Sequence, residues 1–146
     1  EKTVLACGED GFYTYRFKDT VLEEGSQSYF AEAKSIFVTD KYIGIVMKNP
    51  EIPAEGQTVD KYKVQIYRFT GRKAGEFTFD FDYKSVSASD NKIVFYNDYE
   101  CEIYSYHGHK KFQHVFEHNI EKVLPADKAG QYILLDEQSV RIITLK

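Results

Sequence analysis

The sequence predicts an all-β domain built from tandem four-stranded antiparallel blades of the β-propeller type. Three observations carry this. Short apolar segments alternate with a period of two. A unit of about 40 residues recurs along the chain. The composition is rich in Tyr and Phe, with 12 and 11 residues and no Trp, and these side chains favour pleated, half-buried surfaces. At 146 residues, 42% hydrophobic and 16% aromatic, the chain can build a core of its own.

The repeat is legible in two halves. Ser35-Ile-Phe-Val-Thr-Asp40 runs through a small turn into Tyr42-Ile-Gly-Ile-Val46. Ser85-Val-Ser-Ala-Ser-Asp90 leads likewise into Lys92-Ile-Val-Phe95, and Lys122-Val-Leu-Pro-Ala-Asp127 into Gln131-Tyr-Ile-Leu-Leu135. The recurring Asp suits a turn, because its side chain can bond its own backbone two residues on. The second half matches Ile66-Tyr-Arg-Phe-Thr-Gly71 with Ile103-Tyr-Ser-Tyr-His-Gly108, and Phe12–Phe17 is a weaker copy. Alternation followed by a Gly-containing turn reads as a hairpin.

Spacing supports the alignment. Asp90 to Asp127 and Gly71 to Gly108 are both 37 residues, whereas Ser35 to Ser85 is 50. One repeat therefore carries about 13 extra residues between its second and third strands. They lie in Asn49-Pro-Glu-Ile-Pro-Ala-Glu-Gly-Gln-Thr-Val-Asp60, which has no strand pattern and holds two of the three prolines.

With strands labelled a to d, the chain reads as one repeat domain over residues 1–146. Residues 1–33 form a partial blade with strands at Thr3–Ala6 and Phe12–Phe17 and an ill-defined stretch from Thr20 to Ala31. A blade with the inserted loop 49–60 covers 34–83, and its last strand is expected at Glu76–Asp82. A compact blade covers 84–119, ending in a strand at Lys111–Glu117. A partial blade covers 120–146, with strands at Lys122–Pro125, Gln131–Leu135 and Ser139–Leu145. Two full and two partial blades fall short of the usual closed ring of about four to eight. Open sheet edges call for a partner strand. A larger propeller with upstream blades is the favoured reading, and self-association through exposed edges or an open stack of sheets are the others. A β-sandwich leaves the matched 37-residue spacings unexplained.

The net charge of −4 and pI of about 5.6 argue against nucleic acid and anionic lipid as main partners. No apolar run reaches the roughly 18–20 residues of a membrane span, and the pattern of a signal peptide is missing. A chain that starts at Glu1 is expected to be a segment of a longer one. Cys7 and Cys101 have no metal-type spacing. Two buried free thiols are the plainer reading, with one long-range disulfide as the alternative.

The pattern Tyr104-Ser-Tyr-His-Gly108-His-Lys-Lys-Phe112, then Ile120-Glu-Lys-Val-Leu-Pro125, Tyr132-Ile-Leu-Leu-Asp136 and Val140-Arg-Ile-Ile-Thr-Leu-Lys146, resembles the C-terminal part of a Firmicute family of unknown function. Its members are similar to membrane-anchored, propeller-like repeat proteins. The resemblance implies an extracytoplasmic location, with any membrane link through a segment outside this chain. It brings no catalytic residue with it.

Candidate sites are few. His107 and His109 flank Gly108 in a turn, with His114 and His118 beyond. Imidazoles bind transition metals, but the strand separates the turn from its far end at roughly 3.3 Å per residue, so the four cannot converge. His107 and His109 are at most a weak two-ligand site. Asp80 and Asp82, with Glu76 nearby, share a face opposite Phe77, Phe79 and Phe81, the pattern of an outer strand. Arg72, Lys73, Lys110 and Lys111 cluster at equivalent turns, as solvated lysines commonly do. Cys101 lies between Glu100 and Glu102, anions that suppress a thiolate. No nucleophile elbow or phosphate-binding glycine loop is present.

The inserted loop is the best binding candidate, because insertions in repeat proteins gather on one face. Its carboxylates Glu51 and Glu55, and the flanking Tyr42 and Tyr62, form the binding set. The function expected is a non-catalytic protein-interaction or scaffold module at the bacterial cell envelope, without a cofactor. A small-molecule or carbohydrate binder, or part of an enzyme completed by upstream blades, are the alternatives.

Overall fold

The computed structural model describes residues 2–8, 11–19, 21–29 and 32–145. These form four antiparallel sheets of three, four, four and three strands, with no helix among the described residues. The first sheet orders β1 (Lys2–Cys7), β2 (Gly11–Lys18) and β3 (Val21–Tyr29). The second orders β4 (Ala33–Val38), β5 (Tyr42–Lys48), β6 (Tyr62–Arg68) and β7 (Lys73–Phe79). The third orders β8 (Ser85–Ser89), β9 (Lys92–Tyr96), β10 (Glu100–Tyr104) and β11 (Lys110–Val115). The fourth orders β12 (Ile120–Pro125), β13 (Gln131–Asp136) and β14 (Val140–Thr144). Each strand pairs with its neighbour in sequence, which is the up-and-down meander of a blade.

Three strands differ from expectation. The stretch after Thr20 is a nine-residue strand, β3, while Thr20 and Ala31 themselves lie outside the described residues. Its register shifts between Tyr13 and Tyr15, and this bulge, with polar residues in β3, hides its alternation. β7 and β11 begin earlier than expected because the turns before them are tight. Gly71 and Gly108 have φ of 80° and 79°. Gly71 N–H donates to Arg68 O at 2.9 Å and Gly108 N–H to Ser105 O at 3.0 Å. Positive φ at the third position closes such hairpins and suits glycine.

The chain divides into two compact units, Glu1–Thr78 and Phe79–Lys146. In the first, Phe12 of β2 packs with Ile43, Ile45, Met47 and Tyr67, and the Phe12 and Tyr67 rings meet edge-on at 5.2 Å. In the second, Val94, Tyr96, Cys101 and Ile103 pack against Ile120, Val123, Tyr132 and Leu134 of the fourth sheet. Ser87 Oγ donates to Val123 O at 2.5 Å across the same contact. The other face of β9 and β10 carries Phe95 and Tyr104, covered by Phe79 and Tyr83, with Phe79 stacked on Phe95 at 4.2 Å. Strands buried on both faces read as unbroken apolar runs, which is why Ile43–Met47 and Ile93–Tyr96 are buried throughout. Glu102 is buried here too, and its carboxylate accepts from Tyr104 Oη at 2.5 Å and Lys110 Nζ at 2.8 Å. A buried charge needs such partners.

Candidate functional site

The inserted loop is an enlarged version of a turn found twice elsewhere. Asn97 directly follows β9, its N–H donates to Glu100 O at 2.9 Å, and its Oδ1 accepts from the N–H groups of Tyr99 and Glu100. Asp136 ends β13 in the same way, with its N–H on Ser139 O at 3.1 Å and its Oδ1 accepting from Gln138 and Ser139. At the end of β5, Asn49 N–H donates to Lys61 O at 2.8 Å, and Asn49 Oδ1 accepts from Glu51 N–H at 3.2 Å. The closing bond survives, but 11 residues lie inside it instead of two. Counted from the aligned Asp40 and Asp90, the paired part of β5 also runs two residues further than that of β9, and counted back from Gly71 and Gly108 that of β6 starts two residues earlier than that of β10. Together these make up the 13-residue excess.

The base of the loop is fastened. Asn49 Nδ2 donates to Asp60 O at 3.0 Å, and Thr78 Oγ1 donates to Asp60 Oδ2 at 2.6 Å. Beyond this base, Glu51 to Thr58 are all exposed. Gln57 N–H bonds Ala54 O at 2.9 Å, and Gly56 takes a φ of 80°. Ile52 is 92% exposed, between Glu51 and Pro53.

The four proposed binding residues do not form one cluster. Glu51 and Glu55 lie on the exposed loop, and Tyr62 stands at its base opposite Lys48. Lys34 Nζ donates to Tyr62 Oη at 3.0 Å and lies 4.2 Å from the ring centroid. Tyr42 is at the far end of β5, roughly 20 Å away at strand rise, where the Arg68 guanidinium sits 5.8 Å from its ring. The flanking position in sequence is undone by the length of the strand between.

His107 and His109 are exposed in the β10–β11 turn. His114 instead stacks on Phe112 at 6.1 Å and meets Phe116 edge-on at 4.7 Å. No group of three or more His, Cys, Asp or Glu among the described residues is placed to hold a metal ion. Asp80 and Asp82 follow the end of β7 and are exposed. Glu76 pairs with Lys73 and, at 3.5 Å, with Lys63; the hydrogen bond from Lys73 holds its pKa below the usual range.

Both cysteines are free, but Cys7 is exposed, so the expectation of two buried thiols fails for it. It lies in β1, the edge strand of the first sheet, where Thr3, Val4 and Ala6 are exposed as well. Burial, with Glu100 adding to it, pushes the Cys101 thiol up to about 12, and burial leads over the neighbouring anions named from sequence. One turn acceptor differs from the one expected. At the β4–β5 turn Thr39 Oγ1, beside Asp40, accepts from Tyr42 N–H at 3.1 Å.

A cleft of about 410 Å³ opens in the second unit, lined among others by His114, His118, Leu134, Asp136, Arg141 and Ile143. Arg141 Nη2 sits 3.1 Å from Asp136 Oδ2. Asp136 is held below the usual carboxylate range, first by the Gln138 N–H and then by Ser139 and Arg141.

Residues 1–145 match the model of a family described as a family of unknown function, DUF5711. The chain belongs to this family. No curated protein matches it. Among the solved structures that match is a crystal structure of BBS1N in complex with ARL6DN, soaked with mercury, 9% identical with a TM-score of 0.38. The alignment covers 97% of this chain and 64% of that chain, so the chain spans less than two thirds of it. No helix among the described residues is long and apolar enough to cross a membrane.

In this family member, sequence reasoning missed Ile52 and the three turn residues Asn49, Asn97 and Asp136. A signal for Ile52 was present: it is the large apolar side chain between Pro50 and Pro53 in a segment with no strand pattern. The three Asx residues share a place at the end of the second strand of their sheets, Asn49 and Asn97 directly after it and Asp136 as its last residue.

Proposed function

We propose that this chain is a non-catalytic interaction module of the bacterial cell envelope, extracytoplasmic and linked to the membrane through a segment outside this chain. Its contact surface is the loop between Asn49 and Lys61. One observation carries the reading: a loop fastened at its base displays an apolar side chain, Ile52, at 92% exposure. A held loop loses less entropy on binding than a free one. Exposing a large aliphatic group forgoes roughly 1.5–3 kcal/mol of burial, which a partner's pocket recovers. Glu51 and Glu55 flank Ile52, so the partner surface that fits is an apolar socket with a basic rim. The resemblance to membrane-anchored Firmicute repeat proteins supports the location.

The test is affinity capture from cell-envelope extract with the chain, with Ile52→Asp, and with residues 50–60 replaced by Asp-Tyr, the two residues inside the compact turn at Asn97. The replacement preserves the closing bond and so the hairpin. The expected result is a partner retained by the chain and lost by both variants, and its purified form binding with the same ranking. Identical capture by all three overturns the loop as the contact surface.

The 410 Å³ cleft supports a second reading, a small polar ligand or carbohydrate held against Arg141 and His118. A glycan screen against the chain and Arg141→Ala separates this from the first.

A further inference from the structure

The loop between Asn49 and Lys61 carries the run Pro50-Glu51-Ile52-Pro53. A proline ring fixes φ near about −65°. The residue before a proline is kept out of the helical region and held extended. Both rules act twice here, on Asn49 with Pro50 and again on Ile52 with Pro53. Extended backbone commonly joins a sheet, but residues 49–54 belong to no strand and no turn. The prolines have no N–H to give to a ladder, and Glu51 N–H goes to the Asn49 side chain at 3.2 Å. Extended, unpaired backbone with φ set by proline is polyproline II. The run ends at Gly56, whose φ of 80° turns the chain back, with Gln57 N–H on Ala54 O at 2.9 Å.

Polyproline II has three residues per turn and rises about 3.1 Å per residue. Pro50 and Pro53 therefore fall on one edge, about 9 Å apart. Ile52 lies on the neighbouring edge and Glu51 on the third. Pro50 to Pro53 are all exposed, and Ile52 is exposed at 92%. The segment is held at its base through Asn49 and Asp60. A proline-fixed segment on a fastened base has little conformational freedom left to lose on binding.

We propose, on the reading that this loop is the contact surface, that its partner is a protein with a groove of successive aromatic side chains that reads Pro50 to Pro53 as a polyproline II ligand. Pro50 and Pro53 lie flat on two of the rings, and Ile52 fills the space beside them. Glu51 and Glu55 flank this face, so the rim of the groove is basic. The binding is then carried by the two prolines together with Ile52, and not by Ile52 alone.

The test takes the partner captured by the chain, purifies it and follows its tryptophan emission as the chain is added. The chain has no Trp, so the signal comes from the partner alone. The emission is expected to shift on binding, and a synthetic decaproline peptide is expected to compete. Pro50→Ala combined with Pro53→Ala should weaken binding about 30-fold, the loss of a contact hot spot. Gln57→Ala, in the same loop, should bind as the chain does. These side chains are all exposed, so Tm should be unchanged. Before any partner is added, NMR couplings and nuclear Overhauser effects should place Glu51 and Ile52 in the polyproline II region. Helical or strand values there overturn the proposal, and so does binding that decaproline leaves intact. A partner that releases the Asp-Tyr replacement yet holds the double proline variant as tightly as the chain also overturns it, and leaves the loop as the contact surface. A partner that holds the Asp-Tyr replacement equally well, or no captured partner at all, overturns the loop and the polyproline mode together.

Discussion

The second and third sheets share one topology and one alignment, yet they solve the same packing position in opposite ways. In the second, Phe37 of β4 pairs with Gly44 of β5. In the third, the equivalent pair is Ser87 of β8 with Val94 of β9. A Cβ on Gly44 would stand 1.9 Å from Phe37 Cζ, so the phenyl ring fills the space over the glycine. The large residue sits on the outer partner in one sheet and on the inner partner in the other. The repeat therefore fixes the volume of the pair and leaves its division free, as close packing requires. The freed position in the third sheet gains a further use, since Ser87 bonds Val123 O of the next sheet.

The largest effect is expected where both faces of a strand are covered. Phe95 is fully buried and stacked on Phe79, so Phe95→Ala should cost about 3–5 kcal/mol in urea unfolding. Ile142 has the same apolar character but an open face, and Ile142→Ala should stay within about 0.5 kcal/mol. Equal losses at the two sites would mean that the outer face of β14 is covered.

Next comes the exchanged pair. Gly44→Ala should cost about 1–3 kcal/mol through overpacking against Phe37. Transplanting the other solution, Gly44→Val with Phe37→Ser, should recover part of the loss of the single substitutions. A double-mutant cycle should give a favourable coupling of about 0.5–3 kcal/mol. A coupling of zero would separate the two positions and break the comparison.

The same two sheets bear on what was legible. Alternation and spacing disclosed the four sheets, because buried rows and hairpin turns impose a period and a residue type. They disclosed the extra residues between β5 and β6 from offsets alone. They did not disclose β3, where the bulge opposite Thr14 breaks the period. They placed Tyr42 beside the loop, since sequence nearness ignores strand length. They named burial on Cys7 from residue type, whereas its exposure depends on which edge of the first sheet it reaches. The apolar outer faces of the first and fourth sheets read from sequence as ordinary buried rows, because a covered face and an exposed apolar one have the same composition.

A smaller effect distinguishes the short turn from the long one. Asn97 Oδ1 holds two backbone N–H groups and its Nδ2 donates to Asp82 O, whereas Asn49 Oδ1 holds one N–H and its Nδ2 donates to Asp60 O. At about 0.5–1.5 kcal/mol net per bond, Asn97→Ala should destabilise by about 2–4 kcal/mol and Asn49→Ala by about 1–3 kcal/mol. Thermal unfolding of the two variants checks the ranking. Asn49→Ala should also loosen the loop, seen as faster proteolysis between Glu51 and Thr58.

The fourth sheet puts a charge where the third has an amide, and this is the subtlest contrast. Asp136 accepts from Gln138 and Ser139 with the geometry of Asn97 and adds Arg141. These donors favour the carboxylate in the folded chain and depress its pKa. An unfolded Asp titrates near about 3.9. The stabilisation is therefore complete above about pH 4 and is lost as pH falls through the lower folded value. Asp136→Asn keeps one acceptor for the turn and removes the charge, as Asn97 does naturally. Its unfolding midpoint in urea should fall less steeply between about pH 5 and pH 2 than that of the unsubstituted chain, and a parallel fall would assign the acid sensitivity to other carboxylates. The corresponding Asn97→Asp should move in the opposite sense and add a pH-dependent component to the third sheet. Its turn donates the same two N–H groups but has Glu102 at the position of Arg141, so the added component should be the smaller of the two.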